Sequence, residues 1–200
     1  MKIKLHINDL PSNTVVIGSF QKDGNGWSEG LTPKLIKGPD IFLETIGCLK
    51  SQIPELFVLL TGPARGYVIN GLNKLGVPYR HCFLKEYSDL PKLYHALDVY
   101  VVSSREEGGP KAVLEAMASG IPLVTTRVGQ AIDLVQHDIN GWVTNVEDAE
   151  ALAYWTQYVV QNTDTVKRAV IRARNTAKEN SNDAQGPMWE NFLGRFIENP

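Results

Sequence analysis

The stretch Ser103–Val124, SSREEGGPKAVLEAMASGIPLV, decides the fold. It leaves the apolar run Val99–Ser103, crosses a Gly108-Gly109 loop, turns amphipathic from Pro110 to Ser119, and re-enters an apolar run at Ile121–Thr125. Pro110 suits a first helical turn, where its missing N–H is no loss, and Gly120 suits the cap at the far end. Strand, glycine loop, helix and strand make one βαβ unit with parallel strands and a right-handed crossover. The helix start then aims unpaired N–H groups and partial positive charge at the ligand-binding edge of the sheet. Such an end is a seat for phosphate, and Gly108 and Gly109 allow a ligand to approach the backbone closely.

The same alternation extends in both directions. Strands are predicted at Val15–Ile17, Leu56–Thr61, His81–Leu84 and Gly141–Thr144, besides the two above. Helices are predicted at Pro39–Gln52, Arg65–Leu75, Leu90–Leu97 and Gln130–Gln136. Several strands are apolar on both faces, as parallel strands covered by helices on each side must be. The fold class is therefore α/β, a Rossmann-like, doubly wound parallel sheet. Beyond Asn145 the pattern turns helical, with Asp148–Gln161 and then Thr163–Lys178. Asn180–Pro187 is polar and turn-prone and is expected to break the run. Met188–Ile197 then carries Trp189, Phe192, Leu193 and Phe196 as a narrow apolar stripe on a short helix. Ligands of such sheets bind beyond the carboxyl ends of the strands, which points to two loops, Ser19–Gly38 and Ser103–Pro110. The first includes the long Gly-rich connection Gln21–Pro33, a length that usually signals function or mobility.

Composition removes other classes. A formal net charge of −2 lacks the basic field that nonspecific nucleic-acid binding requires. Cys48 and Cys82, the two cysteines, have neither CxxC nor metal-ligand spacing, which fits a reduced, cytoplasmic compartment. No apolar run reaches the ~20 residues of a spanning helix, and Met1–Asp9 is too short and interrupted for a signal peptide. This leaves room for peripheral contact with the inner face of a membrane. His6, His81, His95 and His137 are scattered, and neither an HExxH nor an Asp-x-Asp motif is present, so no metal site is expected.

Glu107 and Glu115 flank the helix start. Carboxylates repel a diphosphate, but they accept hydrogen bonds well from sugar and ribose hydroxyls. Carboxylates for hydroxyls, together with N–H groups and lysines for phosphate, would match a sugar nucleotide. Read singly, these residues have plainer roles: Glu106 and Glu107 complement the helix dipole, and Lys111 and Glu115 can pair across one helical turn. Both readings stand on the residues alone.

Taken together, the string resembles the C-terminal half of retaining glycosyltransferases of GT-B architecture, the glycosyltransferase group 1 family. The resemblance rests on two glutamates separated by seven residues, Glu107 and Glu115, followed by AMASGIPLV. It extends upstream through Leu97–Ser104 and downstream through Arg127-Val128-Gly129, Asp133-Leu134-Val135 and Asn140-Gly141-Trp142-Val143. It implies that residues 1–180 form a nucleotide-sugar-binding domain and that 181–200 form a helical tail crossing to an N-terminal domain.

The resemblance also implies roles. Glu115 would hold the donor ribose and Glu107 would lie beside the donor sugar. The backbone of Gly108, Gly109, Lys111 and Ala112 would face sugar and diphosphate. Lys37, in a Lys37-Gly38 pair, would meet the diphosphate, so Glu107 and Lys37 are the candidate catalytic groups. The nucleobase would meet the chain near Phe83–Lys85, which nominates Leu84 and Lys85. Two positions depart from the pattern. Ser19 stands where an arginine is common, with Lys22, Gln21 or an arginine from elsewhere as substitutes. Pro110 follows the Gly108-Gly109 pair and removes one N–H donor.

The implied reaction transfers a glycosyl group from a nucleoside-diphosphate sugar, such as a UDP-sugar, to an acceptor hydroxyl with retention. No covalent nucleophile is nominated, and metal-independent chemistry without a cofactor is expected, in which cations and helix N–H groups stabilise the leaving diphosphate. The acceptor, a glycan or lipid-linked sugar of the kind used in polysaccharide biosynthesis, would be held by an N-terminal domain. The chain begins almost at its first strand, so it is expected to be a fragment or half-enzyme that transfers nothing alone. A sugar-nucleotide epimerase-like domain and a noncatalytic interaction domain are the alternatives.

Overall fold

The computed structural model describes residues 10–26 and 28–197. Six strands, β1 (Val15–Ser19), β2 (Leu56–Thr61), β3 (Tyr79–Cys82), β4 (Val99–Val102), β5 (Leu123–Thr126) and β6 (Trp142–Thr144), form one sheet in the order β3-β2-β1-β4-β5-β6. Every pairing is parallel, for example Ile17 with Val58 and Val99. The order reverses between β1 and β4, and that topological switch opens a crevice at the carboxyl ends of these strands. The doubly wound sheet expected from the alternation is the one observed.

Among the described residues the helices are α1 (Pro39–Lys50), α2 (Gly66–Leu75), α3 (Leu90–Tyr94), α4 (Lys111–Ser119), α5 (Ala131–Leu134), α6 (Ala149–Gln161) and α7 (Thr163–Glu179), which flank the sheet, and α8 (Asn182–Ile197), which follows them. Neighbouring strand residues point to opposite faces, so each strand feeds two cores. Ile17, Val58, Val99, Val101 and Val124 pack with residues of α1, α2 and α6. Val16, Leu59, Tyr100, Val102 and Leu123 pack with residues of α3, α4 and the end of α7. Burial on both faces explains why these strands read as unbroken apolar runs.

Several boundaries differ from the sequence reading. The third strand is Tyr79–Cys82 rather than His81–Leu84, because its register with Val58–Thr61 starts just after Pro78. Phe83 therefore leaves the sheet and stands 73% exposed. Pro110 is the N-cap of α4, with extended backbone, and the first helical residue is Lys111. Gly120 closes α4 in the left-handed region, as expected. The break predicted over Asn180–Pro187 is present but confined to Asn180-Ser181, between the end of α7 and the start of α8, which runs through both Gly186 and Pro187. Ser181 supports this start, its Oγ accepting from the Ala184 N–H. Pro187 deprives the Asp183 carbonyl of an intrahelical donor, but Asp183 is exposed and water can take that place. The reading of Met1–Asp9 lies outside the described residues.

No helix among the described residues is long and apolar enough to cross a membrane. Both cysteines are free.

Candidate active site

The crevice between β1 and β4 is built from three segments that the sheet brings together. The loop after β1 ends in a single 3-10 turn, Leu35–Lys37, followed by Gly38. Gly38 has φ of 60°, and a Cβ there would lie 1.8 Å from the Ser103 carbonyl oxygen, so no other residue fits. Ser103 Oγ donates to the Gly38 carbonyl at 2.8 Å, and the Arg105 and Glu106 N–H groups both donate to the Ile36 carbonyl. The turn is thereby stitched to the segment following β4.

That stitching sets Lys37 against Glu107, with Nζ 2.5 Å from Oε2. The other carboxylate oxygen, Oε1, accepts from Ser104 Oγ at 2.9 Å. Gln21, two residues past β1, closes the cluster: its Nε2 donates to the Lys37 carbonyl at 2.7 Å, and its Oε1 lies 3.3 Å from Ser104 Oγ, whose single proton it shares with Glu107. Glu107 has a side-chain exposure of 9%, with a cation on one oxygen and a hydroxyl on the other. It is thus a fixed, paired carboxylate.

Beside it, Gly108, Gly109 and Lys111 are exposed at the start of α4, and Ala112 is half-buried. The first helical N–H groups have no intrahelical acceptor and carry the positive end of the dipole. The loop is held from behind by the turn before α5. Gln130 N–H donates to the Gly108 carbonyl at 3.0 Å, and Gln130 Nε2 donates to the Pro110 carbonyl at 3.1 Å. Gly129 makes that approach feasible, because a Cβ on it would fall 2.2 Å from the Gly108 oxygen.

Glu115, one turn into α4, meets two tyrosines. Tyr94 Oη donates to Oε2 at 3.0 Å, and Tyr87 Oη donates to Oε1. Tyr94 belongs to an aromatic cluster with Phe20 and Tyr100, ring centroids 4.9 and 5.1 Å away. Tyr100 Oη accepts from the Phe20 N–H at 3.0 Å, which ties the end of β1 to β4 beneath the crevice. Burial raises the hydroxyl pKa of Tyr94 and pushes that of Tyr100 up to about 12. Tyr87 also rises to about 12, chiefly through its hydrogen bond to Glu115, so all three remain protonated donors at neutral pH.

Two arginines brace this architecture, and neither was assigned a role by sequence reasoning. Arg105 grips Asp40, in the first turn of α1, through Nη1 and Nη2 at 2.8 Å each. It also reaches Glu147 at 2.6 Å and the Leu35 carbonyl at 2.7 Å. The hydrogen bond from Arg105 lowers the Asp40 pKa, and the one to Asp40 raises that of Arg105. Arg65 is buried at the start of α2, with Nη1 donating to the carbonyls of Ser19, Gln21 and Thr61, and Nη2 3.0 Å from Asp23 Oδ2. Asp23 is pushed up to about 6 by burial, against the pull of Arg65, and burial lowers the Arg65 pKa.

The structure therefore gathers Lys37 and Glu107 at the switch point, with Gly108, Gly109, Lys111 and Ala112 at the adjoining helix start. Ser19 does not join them: it is 1% exposed, and its Oγ accepts from Arg65 at 3.2 Å. Arg65 is an arginine from elsewhere near the expected position, but its charge is spent on Asp23 and on carbonyls beneath the crevice. Lys22 is half-buried at the head of the long loop, Leu84 is half-buried, and Lys85 is exposed. His81 and His137 make backbone contacts, at Gly62 and Val143. Among the described residues no three His, Cys, Asp or Glu side chains converge as a metal-holding group.

Comparison with known proteins bears directly on this arrangement. Residues 31–176 match the family model described as glycosyl transferases group 1, a span that includes both glutamates, Lys37 and α1 to α6. The chain belongs to the glycosyl transferases group 1 family. A curated relative, the lipopolysaccharide core biosynthesis mannosyltransferase LpsB of Rhizobium meliloti, is 31% identical over 125 residues, covering 58% of this chain and 36% of that protein. Among solved structures, a glycosyltransferase from Rickettsia africae superposes with a TM-score of 0.79 at 21% identity, over 98% of this chain and 51% of that one. The Anabaena protein HepE, solved with UDP and glucose, gives a TM-score of 0.71 at 22% identity, over 84% of this chain and 44% of its own. The fold of this group 1 domain is thus the C-terminal domain of the GT-B architecture. It spans about a third of the length of the curated relatives it matches.

Proposed function

We propose that this group 1 domain binds a nucleoside-diphosphate sugar in the crevice between β1 and β4 and presents its anomeric carbon for retaining transfer to an acceptor hydroxyl. The observation that carries the reading is the Lys37–Glu107 pair at the topological switch, set beside the N-terminus of α4. The diphosphate lies against the first N–H groups of α4, the Gly108-Gly109 backbone, Lys37 and Lys111. The sugar hydroxyls meet Glu107, the ribose meets Glu115, and the base lies along Leu84 and Lys85. The solved complex of HepE with UDP and glucose, a protein of the same fold, supports a donor of this chemical class.

In this reading the chemistry is electrostatic. As the glycosidic C–O bond breaks, negative charge develops on the leaving diphosphate, where Lys111 and the helix N–H dipoles supply positive charge and Lys37 adds the ammonium N–H groups that its pairing with Glu107 leaves over. Glu107 is poorly placed as a free base, since both of its oxygens are already hydrogen-bonded, and it acts as an oriented acceptor for a sugar hydroxyl. The positive charge comes from protein groups, so nucleotide binding should need no divalent metal. The acceptor, a glycan or lipid-linked sugar, is held by an N-terminal partner domain, and the domain alone binds nucleotide without transferring.

Calorimetric titration of the 200-residue chain with uridine, guanosine and adenosine diphosphates tests this. Saturable binding of one of them, unchanged by EDTA, is expected. A folded sample that binds none would instead indicate a noncatalytic interaction domain, and glycosyl transfer by the chain alone would refute the need for a partner.

A further inference from the structure

The two oxygens of Glu115 are held by partners of opposite character. Tyr94, the donor to Oε2, is 1% exposed and locked among Phe20 and Tyr100, so it stays in place whatever binds. Tyr87, the donor to Oε1, is 70% exposed in the short turn Tyr87–Asp89, two residues past Lys85. Both tyrosines and Glu115 line one largely apolar hollow of about 250 Å³, together with Leu90, Pro91 and Ala118. A carboxylate oxygen accepting a phenol O–H offers the same bond that it would offer a ribose O–H. Exchanging one for the other keeps the number of hydrogen bonds constant, and an exposed ring has little packing to lose on leaving.

We propose that Tyr87 is a displaceable stand-in for a ribose hydroxyl: it occupies Oε1 of Glu115 in the free protein and yields that seat to the donor, while Tyr94 keeps the carboxylate aimed. This rests on the reading that Glu115 holds the donor ribose. Tyr87 then sets the affinity for the ribose, because a ribose hydroxyl must displace its bond to Oε1, whereas a nucleotide lacking ribose hydroxyls leaves that bond in place. Tyr94 is a positioning residue, acting through Glu115 from below.

The test is titration of the full chain, and of Tyr87→Phe, Tyr94→Phe and Glu115→Gln, with UDP and with 2′,3′-dideoxyuridine diphosphate. Removing the competing hydroxyl in Tyr87→Phe should tighten UDP binding by about threefold to tenfold, the range for one ordinary net hydrogen bond, since solvent around the exposed ring weakens the bond to the carboxylate. The dideoxy compound should bind both proteins alike. Tyr94→Phe should weaken UDP by about tenfold and leave the dideoxy compound unchanged, a split that general loss of structure would not produce. Unchanged or weaker UDP binding in Tyr87→Phe overturns the stand-in role even if Tyr94→Phe fails to fold, because Tyr87 lies on the surface. A different failure marks the underlying reading: UDP binding by the unaltered chain that is indifferent to Glu115→Gln would remove the ribose from Glu115 altogether, and this proposal with it.

Discussion

At the scale of single residues, Arg65 and Asp23 set the most exacting electrostatic problem in the molecule. Both are buried at 1% exposure, and Asp23 Oδ1 and Arg65 Nε have no hydrogen-bond partner among the described residues. Desolvation outweighs the attraction of the pair for the carboxylate, which is why Asp23 moves up from 3.8 to about 6. The folded protein therefore holds the Asp23 proton more tightly than the unfolded chain. Its contribution to stability is greatest in acid, is withdrawn as pH rises from about 4 to about 6, and is flat above that. Asp23→Asn abolishes this titration, so the stability difference between parent and variant should shift in favour of the variant between about pH 4 and about pH 7. Urea denaturation at the two pH values measures it. A shift in favour of the parent would mean that Arg65 dominates and that the Asp23 pKa is depressed.

At the scale of elements, the geometry of the crevice depends on how the turn Leu35–Lys37 is fastened. Arg105 joins it to α1 through Asp40 and to the segment before α6 through Glu147, so one side chain aligns three connections. Arg105→Ala should cost about 1 kcal/mol in stability, a partly exposed bidentate pair being worth little more. It should weaken nucleotide binding more than that figure implies, because Lys37 loses its seat beside Glu107. Denaturation and UDP titration of the same variant separate the two effects, and an unchanged affinity would show that the turn holds itself. This dependence was not legible in the sequence. The α4 unit was, because its glycine loop, apolar face and Gly120 cap lie within one continuous stretch, and local chemistry determines them. The Arg105–Asp40 and Arg65–Ser19 contacts join residues 65 and 46 positions apart, and only the strand order brings them together. Tyr87 and Tyr94 escaped notice for the same reason, Glu115 being reached across the α3–α4 packing. Ser19 was nominated by position along the chain, whereas its side chain faces inward from the last residue of β1. The break expected over Asn180–Pro187 narrowed to Asn180-Ser181 because turn propensity is a weak prior against a helix start capped by Ser181 and open to water.

At the scale of the whole molecule, α8 is the outlier. Met188, Trp189, Phe192, Leu193 and Phe196 are each at least 52% exposed, while Trp189, Phe192 and Phe196 stack edge to face along the same stripe. Both cores are complete without it, since the residues packed in them end at Ala177. Removing residues 181–200 should therefore leave the thermal midpoint within about 2 °C of the parent, as expected for a surface change in a domain of this size. A fall of about 10 °C would show that the tail belongs to the core. The complete cores also mean that the crevice is formed by the sheet itself. Backbone amide chemical-shift mapping of the full chain during UDP titration tests the proposed placement of nucleotide there most directly. The account predicts the largest changes at Gly108, Gly109, Lys111, Ala112 and Glu115, with Lys37 moving alongside. It would be contradicted by changes confined to the opposite edge of the sheet, in the hollow of about 500 Å³ lined by Asn13, Asp98 and Val166.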